Sequence, residues 1–361
     1  MTDSHELSEI WPAELDNRLT PERVIARGGF ATVARAWHTV LEQAVAVKIL
    51  HPEHVKDVQV RLRFLQEAEV VSRLDHPHVV RLLEYGASET HAWIVMPFVE
   101  GESLRARLQK ETVPWRDAAR LGREIASAMQ AIHAVGVVHR DLKPENVLID
   151  GQNRALLADF GMSKPKRSGV VTGAGVILGT PGYIAPEAVK ESPVSPASDM
   201  YSLGIVLWES VAGFRPFERN VLTDPASART RMEELMAARD TEPPRLSRVV
   251  RDVPRSLDGL VARLLEREAL DRPRAESVIE ELAWIETGAG ELPEAGLATM
   301  RTTRPVREHD SRQVGPPRQN TGPLSRPPRR GRTPPWAIAL AVVLAVNVLL
   351  GLWLAASHLH H

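Results

Sequence analysis

His139, Arg140, Asp141, Leu142, Lys143, Pro144, Glu145 and Asn146 are consecutive. They place an acid, a cation and a carboxamide on one short loop, the set of groups that phosphoryl transfer from ATP requires. Apolar Val137 and Val138 lead into this loop. Val147-Leu148-Ile149 leave it as a short buried strand that stops at Asp150-Gly151, a tight-turn pair, and Arg154 to Ala158 run back as a second strand. Antiparallel pairing brings Asn146, just before the first strand, and Asp159, just after the second, to the same end of the hairpin. Two hard oxygen donors held there, with room for water and phosphate, suit Mg2+ better than a softer metal.

Asp159 continues into Phe160-Gly161, and at this point the chain resembles the eukaryotic-type (Hanks-type) protein kinases, over roughly residues 20 to 285. The resemblance implies an α+β, bilobal fold: a small β-rich lobe over about 20–98 and a larger helical lobe over about 99–285. It also implies that Asp141 accepts or orients the proton of the acceptor hydroxyl and that Lys143 steadies the γ-phosphoryl group. Asn146 and Asp159 would hold two Mg2+ ions, for which Mn2+ could substitute. Asp-Phe-Gly alone would be a weak match and an isolated His-Arg-Asp a solvated turn; the full octapeptide followed by Asp159 is far more specific.

The upstream half carries independent signals. Ala44 to Leu50 read as a strand whose period of two puts Lys48 on the face of Ala44 and Ala46. An ammonium group buried there needs an anion. On a helix over about Val58 to Leu74, Glu67 shares the apolar stripe of Phe64, Val71 and Leu74, whereas Glu69 faces Arg73 as an ordinary surface pair. The family's strand-lysine to helix-glutamate pair maps onto Lys48 and Glu67, and would position the α- and β-phosphates. The family's glycine-rich loop maps onto Ala26-Arg27-Gly28-Gly29-Phe30-Ala31-Thr32-Val33, which keeps one of the three pattern glycines and adds Gly29. Its backbone amides can still approach phosphate. By the same resemblance, Trp93 to Val99 contain the hinge, with Met96 at the back of the adenine pocket. The Pro97 carbonyl and Val99 amide would meet the adenine edge, and Ile25, Val33, Ala46 and Leu148 would form apolar walls. Each of these could equally be plain core.

The stretch Gly179-Thr180-Pro181-Gly182-Tyr183-Ile184-Ala185-Pro186-Glu187, together with Lys143, is the serine/threonine pattern of the family. The resemblance makes Asp199 a brace for the catalytic loop and Arg272 the partner of Glu187. It also makes Arg140 the receiver of a phosphate on the segment after Asp159, with Thr172 the leading acceptor and Ser168 second. Lys164, Lys166 and Arg167 would add positive field. The motif style is that of the bacterial branch.

The chain has 361 residues, is 43% hydrophobic and 25% charged, and contains no cysteine. That is enough to bury a core, and it excludes disulfides, thiolate zinc sites and a cysteine nucleophile. Residues 1–19 read as an extension without a secretory signal. The totals of 45 Lys+Arg and 46 Asp+Glu conceal an asymmetry, because residues 301–335 hold nine arginines and eight prolines and almost no aliphatic residues. Residues 286–335 therefore read as an extended, disordered linker, with no specific nucleic-acid partner expected. From Trp336 to Ala356 the chain is apolar except for Asn347. As a helix this stretch rises about 31 Å, the thickness of a bilayer's hydrocarbon core. Trp336 and Trp353 suit the interfaces, and Arg326, Arg329, Arg330 and Arg332 on the N-terminal flank place the catalytic part in the cytoplasm. Residues 357–361 form a short tail.

The combined expectation is a membrane-anchored serine/threonine kinase acting on protein substrates, with a homodimer serving trans-autophosphorylation. The competing reading is a membrane-tethered pseudokinase scaffold, supported by the glycine-poor loop alone. Truncation after Gly331 is expected to release a soluble, active protein. Alkali extraction of membranes from cells expressing full-length and truncated forms checks this: the full-length chain should stay in the pellet and the truncated one should not.

Overall fold

The computed structural model describes residues 7–159, 181–189, 194–217 and 245–288. The phosphoacceptor candidates Ser168 and Thr172, the regulatory candidate Thr180, the Phe160-Gly161 pair, Lys164, Lys166 and Arg167, the linker beyond residue 288, the apolar span 336–356 and the tail lie outside those residues. Among the described residues, no helix is long and apolar enough to cross a membrane.

Alternating burial builds the first lobe. Strands β1 (Leu19–Arg27), β2 (Ala31–His38), β3 (Gln43–Leu50), β4 (Glu84–Ala87) and β5 (Ala92–Pro97) form an antiparallel sheet in the order β1-β2-β3-β5-β4. On β3, Val45, Val47 and Ile49 bury on one face and Lys48 on the other, opposite Val33 of β2 and Ile94 of β5. Helix α1 (Pro52–Lys56) follows, then α2 (Val58–Ser72), whose first amides at Gln59 and Val60 are capped by the Asp57 carboxylate. Helix α2 buries Val60, Phe64, Ala68 and Val71, a stripe of helical period.

The outer face of the sheet is covered by the residues that precede and open β1. Leu7, Trp11, Leu15 and Leu19 pack with Ala34, Ala36, Val45, Val47, Ile49, Trp93 and Val95 in a core separate from the main one. Polar contacts fix this cover: Trp11 donates to Asp16 at 3.0 Å, and Arg18 forks onto both oxygens of Glu84 at 2.9 and 2.5 Å. Arg18 in turn holds Glu84 below the usual carboxylate range. The boundary expected at residue 20 thus cuts through a packed cluster, because residues 7–19 supply one wall of it.

Helix α3 (Leu104–Leu108) and helix α4 (Trp115–Ala134) open the second lobe. A small sheet of β6 (Gly101–Ser103), β7 (Val147–Asp150) and β8 (Ala155–Leu157) carries the hairpin inferred from sequence. Its turn is fastened by Asp150, which accepts from the Gln152 and Arg154 amides. Its open end is closed by the Ala158 amide donating to the Asn146 carbonyl at 2.9 Å, so Asn146 and Asp159 do emerge together. After the short helix α5 (Pro186–Val189), the central helix α6 (Pro196–Ala212) is buried from Ser198 to Val211. Helices α7 (Arg255–Leu264) and α8 (Ala275–Glu286) complete the lobe, with α4 packed on both α6 and α8. Gly204 of α6 is required by close approach, since a Cβ there would lie 2.9 Å from the Leu264 Cβ.

Leu15 is fully buried, so Leu15→Ala leaves a cavity under the sheet. It is expected to lower stability by about 3 kcal/mol, measured as a shift in the urea midpoint at unchanged slope.

Candidate active site

The catalytic loop is hung from one carboxylate. Asp199, in the first turn of α6 and 1% exposed, accepts from the His139 amide at 2.8 Å, the Arg140 amide at 2.9 Å and His133 Nε2 at 2.7 Å. These bonds hold Arg140 at φ 62, a left-handed backbone that a branched or long side chain rarely adopts. His139 is the second strut. Its Nδ1 accepts from the Asp141 amide at 3.2 Å, so Nε2 carries the proton and donates to the Ala158 carbonyl at 3.2 Å. Burial pushes its pKa down, against the pull of Asp199 and Asp141, and keeps the ring neutral. The imidazole thereby ties the loop to the residue before Asp159.

Asp141 lies among groups suited to a reacting hydroxyl and phosphate. Lys143 Nζ is 3.1 Å from its Oδ2, and Asn146 Nδ2 donates both to the Asp141 carbonyl at 2.8 Å and to Oδ2 at 3.2 Å. With its amide nitrogen so engaged, the Asn146 Oδ1 accepts no hydrogen bond from the described residues and remains a donor atom for a hard cation. Asp159 also sits in a left-handed conformation, φ 55, and its side chain is 41% exposed. An amide oxygen and an open carboxylate at the end of one hairpin fit Mg2+.

One expected pair is not formed. Lys48 bonds to Asp159 rather than to Glu67, while Glu67 takes Arg140 Nη1 at 3.2 Å. A lysine only 7% exposed needs an anionic partner. In this structure that anion comes from the second lobe.

Val33, Ala46, Met96, Pro97, Val99 and Leu148 are half-buried and Ile25 is exposed. Ala46 is paired with Met96 across β3 and β5, and Val33 with Ala26 and Lys48. Of the loop residues Ala26, Arg27, Gly28, Gly29, Phe30, Ala31 and Thr32, the Gly28 amide closes the hairpin on the Ala31 carbonyl at 2.9 Å.

Arg272 forks onto Glu187 at 2.7 and 2.8 Å. Its remaining N–H groups reach the carbonyls of Glu266, Arg267 and Ala197, and its plane lies over Tyr201, 4.9 Å from the ring centre. Burial would raise Glu187, but Arg272 and Ser198 hold it below the ordinary carboxylate value. A second network has no counterpart in the sequence reading. Arg105 of α3 donates to Glu145 and to Glu209, both at 2.9 Å, and to the Tyr183 hydroxyl, which itself donates to Glu209. It joins the catalytic loop, the segment ending at Glu187 and the central helix. Burial pushes the Tyr183 phenol up, with Glu209 adding to the shift. His133 was likewise invisible, because a histidine late in an amphipathic helix carries no local mark of its partner.

The family described as "Protein kinase domain" matches residues 19–284 of this chain. The serine/threonine-protein kinase PknL of Mycobacterium tuberculosis is 34% identical over 292 residues, 78% of this chain and 71% of that protein. The serine/threonine-protein kinase pkn2 of Myxococcus xanthus is 38% identical over 271 residues, 72% of this chain, which spans only 31% of that protein's length. Among solved structures, the Mycobacterium tuberculosis PknI kinase domain superposes with a TM-score of 0.57 at 25% identity, covering 74% of this chain and 95% of that one.

Removing Arg272 would strand Glu187 as a buried, unpaired charge. Arg272→Ala is expected to cost about 3 kcal/mol or more, and Arg272→Lys should recover little of it because the fork is lost. Since the Glu187 pKa is depressed in the fold, its stabilisation is complete above the ordinary carboxylate pKa and is lost as pH falls through the depressed value. Urea titrations at neutral and acid pH should therefore show the gap between parent and variant narrowing in acid.

Proposed function

The chain belongs to the protein kinase domain family, residues 19–284 being a serine/threonine protein kinase domain, and from that premise we propose that it transfers the γ-phosphoryl group of ATP to serine and threonine hydroxyls of proteins. The observation that carries the reading is the joint geometry of Asp141, Lys143 and Asn146 on a loop rigidly held by Asp199. When bound, Mg2+ and ATP supply the transferable phosphoryl group with its charge partly neutralised. Asn146 and Asp159 would hold the metal, and Lys48 would orient the phosphates. Asp141 orients the incoming hydroxyl and draws off its proton, and Lys143, beside it, offsets charge that develops on the transferring group. The pseudokinase reading is not favoured, because every charged position it would have to lack is present.

The exchanged ion pairs support a second level of the proposal. With Glu67 on Arg140 and Lys48 on Asp159, the described arrangement is a resting one. A phosphate added to the segment after Asp159, at Thr172 or Ser168, would compete for Arg140, a stronger bidentate acceptor than one carboxylate. Glu67 would then be released toward Lys48, and Asp159 toward the metal. Autophosphorylation between two copies would supply that phosphate. The apolar span 336–356 and its arginine flank support anchoring in the cell membrane with the kinase in the cytoplasm.

Asp141→Asn keeps the shape of the side chain and removes the base. It is expected to reduce transfer on the order of 10^3-fold while the protein stays folded by circular dichroism. Radiolabelled ATP with Mg2+ and a generic substrate protein measures this, and near-parental labelling by the variant would refute the assignment. Phosphopeptide mapping of the same labelled parent reads whether Thr172 or Ser168 is modified.

A further inference from the structure

The phosphate-facing hairpin of this chain is not shaped by glycine freedom. Neither Gly28 nor Gly29 occupies the left-handed region. The two alanines at pattern-glycine positions sit in ordinary strand pairing, Ala26 against Val33 and Ala31 against Leu50. A loop of this kind would be free to swing about its two strands, yet it is fastened from outside at three residues.

All the fastenings come from the four residues that follow β3. The His51 amide donates to the Phe30 carbonyl at 2.8 Å, and His51 Nε2 is hydrogen-bonded to the buried Thr32 hydroxyl at 3.0 Å. His54 Nε2 donates to the Gly29 carbonyl at 3.1 Å, and its ring stacks on Phe30 with centroids 4.5 Å apart and planes at 27°. Phe30 also packs against the main core. Each of Gly29, Phe30 and Thr32 thus has a fixed partner on the segment linking β3 to α2, and two of these partners are imidazoles. The Gly29 carbonyl and the Phe30 N–H belong to one trans peptide and point in opposite directions, so holding that carbonyl on His54 turns the Phe30 amide away from His54.

We propose that His54, assisted by His51, is a positioning residue for ATP: it splints the Gly28–Thr32 loop from outside and fixes the height of its amides above the phosphates, the task that pattern glycines would otherwise leave to loop closure. The inference rests on the ATP-dependent reading above. It predicts a selective effect, on nucleotide and not on protein substrate, because nothing in the splint touches Asp141, Glu187 or the Arg105 network.

The test uses the full-length chain as parent, His54→Ala, His54→Gln and His54→Phe. Initial rates are measured with ATP varied at fixed substrate protein and the reverse, alongside direct titration with a fluorescent ATP analogue. Loss of the hydrogen bond and the stack in His54→Ala is expected to raise the KM for ATP and weaken analogue binding about five- to tenfold, with the KM for protein substrate within about twofold. His54→Gln, which keeps a donor near the Nε2 position, and His54→Phe, which keeps the ring, should each recover part of the loss. Unchanged ATP affinity in His54→Ala would overturn the proposal. So would equal rises in both KM values with a lowered melting temperature, the mark of a merely structural role. A parent that binds the analogue but transfers no phosphate would refute the catalytic reading, and the splint would still be decided by the analogue titration.

Discussion

A carboxylate taken almost wholly out of water is costly unless donors converge on it, and Asp199 is met by three: two consecutive backbone amides and an imidazole. That convergence sets the whole catalytic loop. It holds Arg140 in a backbone conformation it would not keep alone, which points the Arg140 guanidinium toward α2 and leaves Asp141 and Asn146 facing the open side of the hairpin. His139 then carries the constraint onward to Ala158, so the residue preceding Asp159 is fixed through the same support. The central helix contributes no group to the chemistry itself, yet the reacting groups are placed by its first turn.

The two lobes communicate through charge. Lys48 is paired with Asp159 and Glu67 with Arg140, in place of the Lys48–Glu67 pair expected from sequence. If a phosphate takes Arg140 as proposed above, Glu67 is freed for Lys48, so an added charge decides between the pairings. The Arg272–Glu187 fork shows the opposite design. With five donors used and the carboxylate buried, it has no alternative partner and serves as a fixed pin.

The legible parts of this chain were those in which chemistry is local. The loop from His139 to Asn146 and the returning hairpin could be placed by turn residues and strand alternation, and Lys48 by period two. The inward position of Glu67 followed from the apolar stripe of its helix, although its partner did not, because pairing among four charges depends on lobe geometry. What stayed hidden was built from contacts across long separations. Arg105, Tyr183 and Glu209 lie on three elements and each reads alone as an ordinary surface or core residue. His51 and His54 follow a strand in a stretch that a sequence reader passes as a connector, and their meaning exists only once the hairpin folds back over them. Leu7, Trp11 and Leu15 were too sparse to register as an amphipathic helix, and only the bare outer face of the sheet explains them.

That outer face has a consequence for how the protein is made. Leu7, Trp11 and Leu15 leave the ribosome ahead of the sheet they cover, and Trp93 and Val95, which complete their burial site, are added only after β1 to β4 have been made. At about 5–20 residues per second, the interval from Leu19 to Val95 lasts roughly 4 to 15 s. Throughout that time the nascent chain carries an unsatisfied apolar segment ahead of the sheet, open to a chaperone or to misplaced contact with other chains. Residues 7–15 are therefore among the last of the small lobe to reach their native environment, and the sheet is sealed from behind only once its final strand has arrived.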